Sequence, residues 1–400
     1  MTSLETFDAV VVGGGPAGAT AATELARNGR SVLLVDRGHR IKPCGGAIPP
    51  QLMREFEVPE SLLAARITCA RMIAPSDRRV DMPIEGGFVG MVKRDVFDEW
   101  LRQRAEGAGA LRRAGKVTGI RHDRSGDAII DYCPVQAGGR PGAPVSVRAR
   151  CVVGADGASS IVARTCVAGA RETPYVTAYH EIVAAPMRGH HGYDPARCDV
   201  YYQGAMSPDF YGWVFPHGDS VSVGVGTAQD GHSLRQAVAR LRAAAGLQDA
   251  ATIRREGAPI PLRPLRRWDD GRNVILAGDA AGVVAPASGE GIYYAMASGR
   301  LAAEAGNAFL ETADVRALAR ARKRFMKAHG RVFLILGALQ RFWYSSDRRR
   351  ERFVSMCRDP DVQRLTWEAY MNKRLVRARP GAHVRIFFKD LAHLLGVVSP

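Results

Sequence analysis

The sequence predicts a mixed α/β fold (α/β with α+β character): a doubly wound first domain, a β-rich second domain and a helical C-terminal region. Three observations predict it. A Gly-rich turn separates an apolar strand from an Ala-rich helix near the N-terminus. Two later apolar strands each run into an Asp beside a glycine. Finally, 400 residues are more chain than one hydrophobic core usually organises. Apolar residues make up 46% and charged residues 24%, the balance of a globular chain that buries a core rather than of a disordered one.

The first element is an apolar strand over residues 7–12. It enters the turn Gly13-Gly14-Gly15-Pro16-Ala17-Gly18, which opens an Ala-rich helix over 19–27 closed by Asn28-Gly29. A second strand over 31–35 ends at Asp36, 23 positions after Gly13. A G-x-G-x-x-G inside a βαβ unit of this size, with an acid at that distance, reads as a dinucleotide site. Gly13 allows the tight turn, Gly15 lets the backbone approach a pyrophosphate, and Gly18 permits close helix-to-strand packing. Pro16 and Ala17 open the helix whose N-terminus faces the diphosphate. Asp36, with Arg37 beside it, would take the adenosine ribose. Alone, this unit does not distinguish FAD from NAD.

Residues 151–158, Cys-Val-Val-Gly-Ala-Asp-Gly-Ala, form a strand stopped at Asp156-Gly157, and residues 273–279 form another that ends in Gly278-Asp279. In this order behind a βαβ unit, they resemble the D-G and G-D signatures of FAD-binding hydroxylase-type flavoproteins. The resemblance makes the first domain Rossmann-type and FAD-binding, with Asp279 on the ribityl chain and Arg94, in an R-x-x-F-D-x-x-L helix start, contacting the cofactor. No second G-x-G-x-x-G follows a strand, so a nicotinamide has no Rossmann site of its own. Residues 286–292, Pro-Ala-Ser-Gly-Glu-Gly-Ile, are expected to begin a helix running on through Met296. Its bare N-terminus, with Gly289, Gly291 and Ile292, would stabilise negative charge on a reduced flavin.

Three further segments sharpen the resemblance: the loop Cys44-Gly45-Gly46-Ala47, the alternating Tyr211-Gly212-Trp213-Val214-Phe215-Pro216, and Ser288-Gly289-Glu290-Gly291-Ile292-Tyr293-Tyr294. Together they resemble the geranylgeranyl reductase family, most closely its chlorophyll and bacteriochlorophyll branch, over about the first three quarters of the chain. That implies an oxidoreductase which saturates three of the four double bonds of a geranylgeranyl chain to give phytyl. Its substrate would be geranylgeranylated bacteriochlorophyll or geranylgeranyl diphosphate. An isolated alkene is a poor hydride acceptor, so the chemistry needs reduced FAD on one side, a proton donor on the other and a dry slot. Tyr211, Trp213 and Phe215 alternate along a strand and would share one face as the wall of that slot. Cys44 is a candidate proton donor or flavin-loop residue, because a neutral thiol keeps its proton at cellular pH. Glu290 is the other candidate, and a carboxyl serves as an acid at neutral pH only where burial protects its proton. NADPH, bound without a Rossmann fold as the resemblance implies, is the expected electron donor, with a ferredoxin-like donor as the alternative, and no metal is expected.

The expected domains are 1–64, 91–166 and 265–307 for FAD, 65–90 and 167–264 for substrate, and 308–400 as the helical region. The seven cysteines are scattered without a C-x-x-C pair, which fits a reducing compartment. The N-terminus lacks a secretory pattern. The apolar run 332–339 is under half the roughly 20 residues of a spanning helix. The chain is therefore expected in the cytoplasm, peripheral on a photosynthetic inner membrane. Net charge is +16, and 13 Lys/Arg stand against 6 Asp/Glu between Arg341 and Asp390, interleaved with Phe342, Trp343, Tyr344, Trp367, Tyr370, Phe387 and Phe388. That stretch reads as a membrane surface, a contact for a pigment-synthesis partner protein or a solvated helical face. No recognised nucleic-acid module accompanies it. Two enzyme readings compete: a flavin monooxygenase or halogenase, against which the Cys-Gly-Gly loop argues, and a reductase of other polyprenyl lipids. A non-catalytic flavin-binding pigment escort would keep its function in a Cys44→Ala variant.

Overall fold

The computed structural model describes residues 4–38, 41–136, 139–188 and 190–373. They divide into two compact units, each assembled from separate stretches of chain. The first unit draws on the chain up to Lys42, on Arg94–Tyr175 and on Pro259–Phe333; the second draws on Pro43–Lys93, on Val176–Ala258 and on the chain from Leu334.

The first unit is built on a six-stranded sheet. The strand Thr6–Val12 runs parallel to Val32–Asp36 on one side and to Val145–Gly154 on the other. Val32–Asp36 continues the parallel ladder to Leu111–His122, and Val145–Gly154 continues it to Val274–Leu276. Near-continuous Val, Ile and Leu runs suit this layer, because parallel strands are covered on both faces. The far halves of the two long strands pair antiparallel with Ala128–Pro134. The helix Pro16–Arg27 starts three residues earlier than expected, since Pro at N1 needs no amide partner. It lies against the helix Ile292–Thr312, closely enough that a Cβ on Gly299 would overlap the Ala17 carbonyl.

The second unit carries a seven-stranded sheet in the order Thr252–Pro261, Tyr175–Ala184, Ser220–Thr227, Gly212–Pro216, Arg197–Tyr201, Cys69–Ile73, Arg79–Pro83. One face packs on the helix Leu234–Ala244, with Val214, Val221, Val223 and Val225 meeting Ala237, Val238 and Leu241. The period of two then places Trp213, Phe215, Ser222 and Gly224 on the other face. A small three-stranded sheet joins Ala47–Ile48, Val89–Val92 and Leu63–Ile67.

These units differ in extent from the expected domains. The stretch 43–64 groups with the second unit, because its strands hydrogen-bond to Val89–Val92. The chain after 308 is shared: Val315–Ala317 and most of the helix Ala319–Trp343 group with the first unit. The helices Asp347–Met356 and Pro360–Asn372 group with the second. Ser76 Oγ donates to Glu351 at 2.8 Å, and Trp367, Tyr370 and Met371 pack on Ile67, Val89 and Met91. The expectation of a basic-aromatic surface is corrected at Trp343 and Tyr344, which are buried. The Tyr344 ring packs tilted against Tyr202 with centroids 5.3 Å apart, so these rings serve the core rather than a partner. Phe387 and Phe388 lie outside the described residues.

Candidate functional site

The Gly-rich turn has the geometry of a nucleotide cradle. Gly13 sits at φ +101°, and a Cβ there would run into Ala155 and Asp156; a Cβ on Gly18 would overlap the Gly13 carbonyl. Protein packing thus explains both glycines. Gly15 is different: its backbone is extended at φ −76°, which any residue adopts, and no atom lies within 4 Å of where a Cβ would stand. Nothing in the protein demands glycine there, whereas a closely approaching ligand would. The helix beginning at Pro16 has no side-chain N-cap bond and no acid in its first turn, so its N–H groups and positive dipole end suit a diphosphate. The residues present therefore fit a dinucleotide.

Asp36 ends its strand as expected and accepts from Gly38 N–H at 3.3 Å. Arg102, which the sequence reading missed, is buried between Asp36 Oδ2 at 3.4 Å, the Gly14 carbonyl at 3.3 Å and Glu99 at 2.9 Å. It braces the turn against Asp36. Arg37 follows Asp36 at an exposed position. Arg94 opens the helix Arg94–Gly107, where its guanidinium forms a two-bond fork with the Asp98 carboxylate at 2.8 Å, both groups buried.

Asp156 accepts from the Ser160 hydroxyl, from Ile161 N–H at 2.7 Å and from Val162 N–H at 3.4 Å, so its carboxylate caps the short helix Ile161–Cys166. Burial pushes that carboxyl above the usual Asp range and the bonds pull it back. Gly157, next in the chain at φ +86°, has open space where a Cβ would stand. Gly278 packs against Ala17, where a Cβ would come within 2.7 Å, and its N–H donates to Ser298 Oγ at 2.9 Å. Asp279 is ion-paired with Lys42, a second residue the sequence reading gave no role.

The helix expected from residue 286 begins only at Ile292. Ala287 and Gly289 have φ of +62° and +64°, incompatible with a right-handed helix, and Ser288 N–H bonds back to the Pro286 carbonyl at 2.7 Å. Glu290 therefore lies in a strained loop. Gly291 becomes the N-cap, with no side-chain bond and no acid in the first turn of the helix. Its Cα faces Asp279, whose Oδ1 would lie 4.0 Å from a Cβ there. The N-terminus at Gly291 and Ile292, and the Asp279 carboxylate, are thus brought together within the first unit.

In the second unit the rings of Tyr211, Trp213 and Phe215 do share a face, with centroids 6.1 Å and 6.4 Å apart in succession. The Cys-Gly-Gly loop sits against the end of this row. A Cβ on Gly45 would touch the Phe215 ring at 3.1 Å, and one on Gly46 would press on His217 Nε2 and the Val92 carbonyl. Cys44 is half-buried, its Sγ accepting from Gly46 N–H at 3.4 Å, and Ala47 enters the small sheet opposite Met91. His217 is 7% exposed, and burial holds its imidazole down to about 4, so the ring beside the loop is neutral. Behind the aromatic row, Trp213 Nε1 donates to Ser222 Oγ at 3.1 Å, Ser222 lies 2.9 Å from His180 Nδ1, and His180 Nε2 lies 2.9 Å from Glu256.

Comparison with known proteins agrees with this geometry. Residues 6–327 match the family described as an FAD binding domain. The chain is 55% identical over 394 residues to a geranylgeranyl diphosphate reductase of Rhodobacter capsulatus, covering 98% of this chain and 99% of that one. It is 38% identical over 407 residues to a chloroplastic geranylgeranyl diphosphate reductase of Oryza sativa subsp. japonica, covering 96% and 85%. Among solved structures, a geranylgeranyl bacteriochlorophyll reductase-like protein from Thermoplasma acidophilum superposes with a TM-score of 0.80 at 23% identity, over 95% of this chain and all of that one.

Proposed function

Since the chain belongs to the FAD-binding geranylgeranyl diphosphate reductase family, we propose that it reduces isolated double bonds of a geranylgeranyl chain to give phytyl. The chain would be carried as the bacteriochlorophyll ester or as the free diphosphate, with NADPH as electron donor. The observation that carries this reading is the packing of the Cys-Gly-Gly loop on the aromatic strand, at Gly45 against Phe215 and Gly46 against His217. The two most family-specific segments of the sequence are a single structure.

FAD, when bound, supplies the electron pair as hydride. The residues of the chain do the rest. The Gly15 turn and the uncapped helix start at Pro16 bind the diphosphate, Asp36 orients the ribose, and Asp279 orients the ribityl chain while Lys42 balances its charge. The uncapped N-terminus at Gly291 and Ile292 favours negative charge on the isoalloxazine. Tyr211, Trp213 and Phe215 supply an apolar wall that excludes water from the alkene and holds it straight. Cys44 holds the proton at Sγ for the second alkene carbon, with its thiol oriented by Gly46 N–H. Glu290 is the alternative proton holder.

A membrane surface is also proposed. No helix among the described residues is long and apolar enough to cross a membrane. Leu334, Ile335 and Leu339 are nevertheless exposed on one side of a helix, Leu334 by 74%, with Arg341, Arg348 and Arg349 exposed close by in sequence. An exposed apolar ridge beside arginines suits an anionic lipid surface. The decisive experiment is anaerobic incubation of the protein and FAD with geranylgeranyl-bacteriochlorophyll or geranylgeranyl diphosphate, with NADPH or dithionite. Mass gains in steps of two hydrogens, up to six, are expected. No gain with demonstrably reduced flavin overturns the reading.

A further inference from the structure

Trp213 is held from two directions. Beneath it lies Gly224, directly across the strand pair, where a Cβ would overlap the indole ring and press on the Cβ of His180 at 2.6 Å. Only a residue without a side chain lets the indole lie down on the sheet. His180 occupies the same row one strand further on, paired with Gly224. From the side, the indole N–H is tied to Ser222 Oγ at 3.1 Å.

The tie continues in one direction. Glu256 is ion-paired with Arg254 at 2.5 Å, and a carboxylate only accepts, so His180 must donate to it from Nε2. With its proton on Nε2, the ring offers Nδ1 as the acceptor for the Ser222 hydroxyl, 2.9 Å away. The serine oxygen keeps its lone pairs for the indole N–H. Three residues remote in sequence thus form a chain in which each donor has one acceptor, ending on the central ring of the aromatic row. Ser222 is fully buried and His180 nearly so, which makes a broken link costly and the arrangement singular.

We infer that Ser222, His180 and Glu256 are positioning residues that fix the Trp213 indole, and through it the seating of the polyprenyl chain along Tyr211, Trp213 and Phe215. This rests on the reading of that row as the substrate wall. A polyprenyl chain offers no polar handle along most of its length, so its register can be set only by the shape of the wall. A ring free to turn about its own bond would blur that shape.

The test is a mutant cycle on the FAD-loaded full chain, read both by kinetics with geranylgeranyl diphosphate and by ultraviolet resonance Raman of the indole N–H. The Trp213→Phe spectrum, subtracted, isolates Trp213. Ser222→Ala should move the N–H mode to that of an unbonded indole, raise KM about tenfold, change kcat less than threefold and release partly reduced chains. His180→Gln, one link further away, should do the same more weakly. Ser222→Thr, which keeps the hydroxyl, should restore the bonded mode and KM. In a Trp213→Phe background, Ser222→Ala should add nothing. An equal KM effect in that background, or an unmoved N–H mode, overturns the inference while leaving the proposed function standing. Absence of any reduction by the wild-type protein overturns both. Bound-flavin absorbance, which reports on the other unit, separates these results from loss of the fold.

Discussion

Two glycines three residues apart in the same turn should respond oppositely to the same methyl group. In Gly18→Ala the new Cβ overlaps the Gly13 carbonyl and lies 3.1 Å from the Ala155 Cβ, so backbone must move. Overpacking of this kind costs about 1–3 kcal/mol, partly offset by roughly 1 kcal/mol of better helix propensity. In Gly15→Ala the new methyl meets nothing within 4 Å, on backbone at φ −76° and ψ −174° that alanine adopts freely. About 0.5–1 kcal/mol lost at the N-cap is offset by about 0.4–1 kcal/mol of unfolded-state entropy, so the apo protein should be unchanged within about 1 kcal/mol. The methyl instead occupies the approach to the N–H groups at the helix start. Losing one charge-assisted bond to phosphate, about 1.5–3 kcal/mol, weakens FAD by roughly 10- to 150-fold. Urea unfolding of both apo variants and a flavin-fluorescence titration read the two effects separately. If Gly15→Ala bound FAD as tightly as wild type, or unfolded as early as Gly18→Ala, the assignment of the diphosphate to this turn would be refuted.

Other expectations follow from the same geometry. With its imidazole held at about 4 in the fold against about 6.5 unfolded, His217 binds fewer protons natively between those values. Stability is therefore complete above pH 6.5 and declines as pH falls toward 4. At pH 5.5 the loss should be about 1.4 kcal/mol, and in His217→Gln this part of the slope should vanish from urea midpoints across that range. Arg102→Ala strands Asp36 and the Gly14 carbonyl, and should destabilise the apo protein by about 3 kcal/mol; an unfolding midpoint equal to wild type would show the brace to be idle. Cys44→Ser should lower kcat by about a hundredfold without slowing flavin reduction in stopped-flow traces, and unaltered turnover would hand the proton to Glu290. Leu334→Glu with Leu339→Glu should abolish flotation with anionic vesicles and spare reduction of soluble diphosphate; persistent flotation would remove the ridge from consideration.

The parts of the site legible in the sequence are those whose chemistry is local. Gly13 to Asp36 is one continuous βαβ segment, so spacing alone placed the glycine turn and the acid at the strand end. Gly278-Asp279 is marked by the strand that precedes it. Arg102 was not legible, because the partners that tie it to the turn lie 66 and 88 positions away and a lone arginine on a helix carries no signal. The chain from Trp213 to Glu256 was hidden for the same reason: sheet register, not spacing, brings residues 180, 213, 222 and 256 together. The helix misplaced at 286 shows a different limit, since an alanine at φ +62° leaves no trace in composition. Counting charges and aromatics between Arg341 and Asp390 overlooked periodicity, and so treated the buried Trp343 and Tyr344 as surface.

The open space beside Gly15 also bears on how such a sequence can drift. Gly13 and Gly18 answer to the protein's own backbone, so any descendant that keeps the fold must keep them. Nothing in the protein holds position 15 to glycine, and on the proposed assignment it answers to the ligand alone. In a lineage that abandoned the cofactor and kept the scaffold, position 15 would be released while its two neighbours stayed fixed. An alanine or serine there, between unchanged glycines, would mark a retired flavoprotein from one sequence.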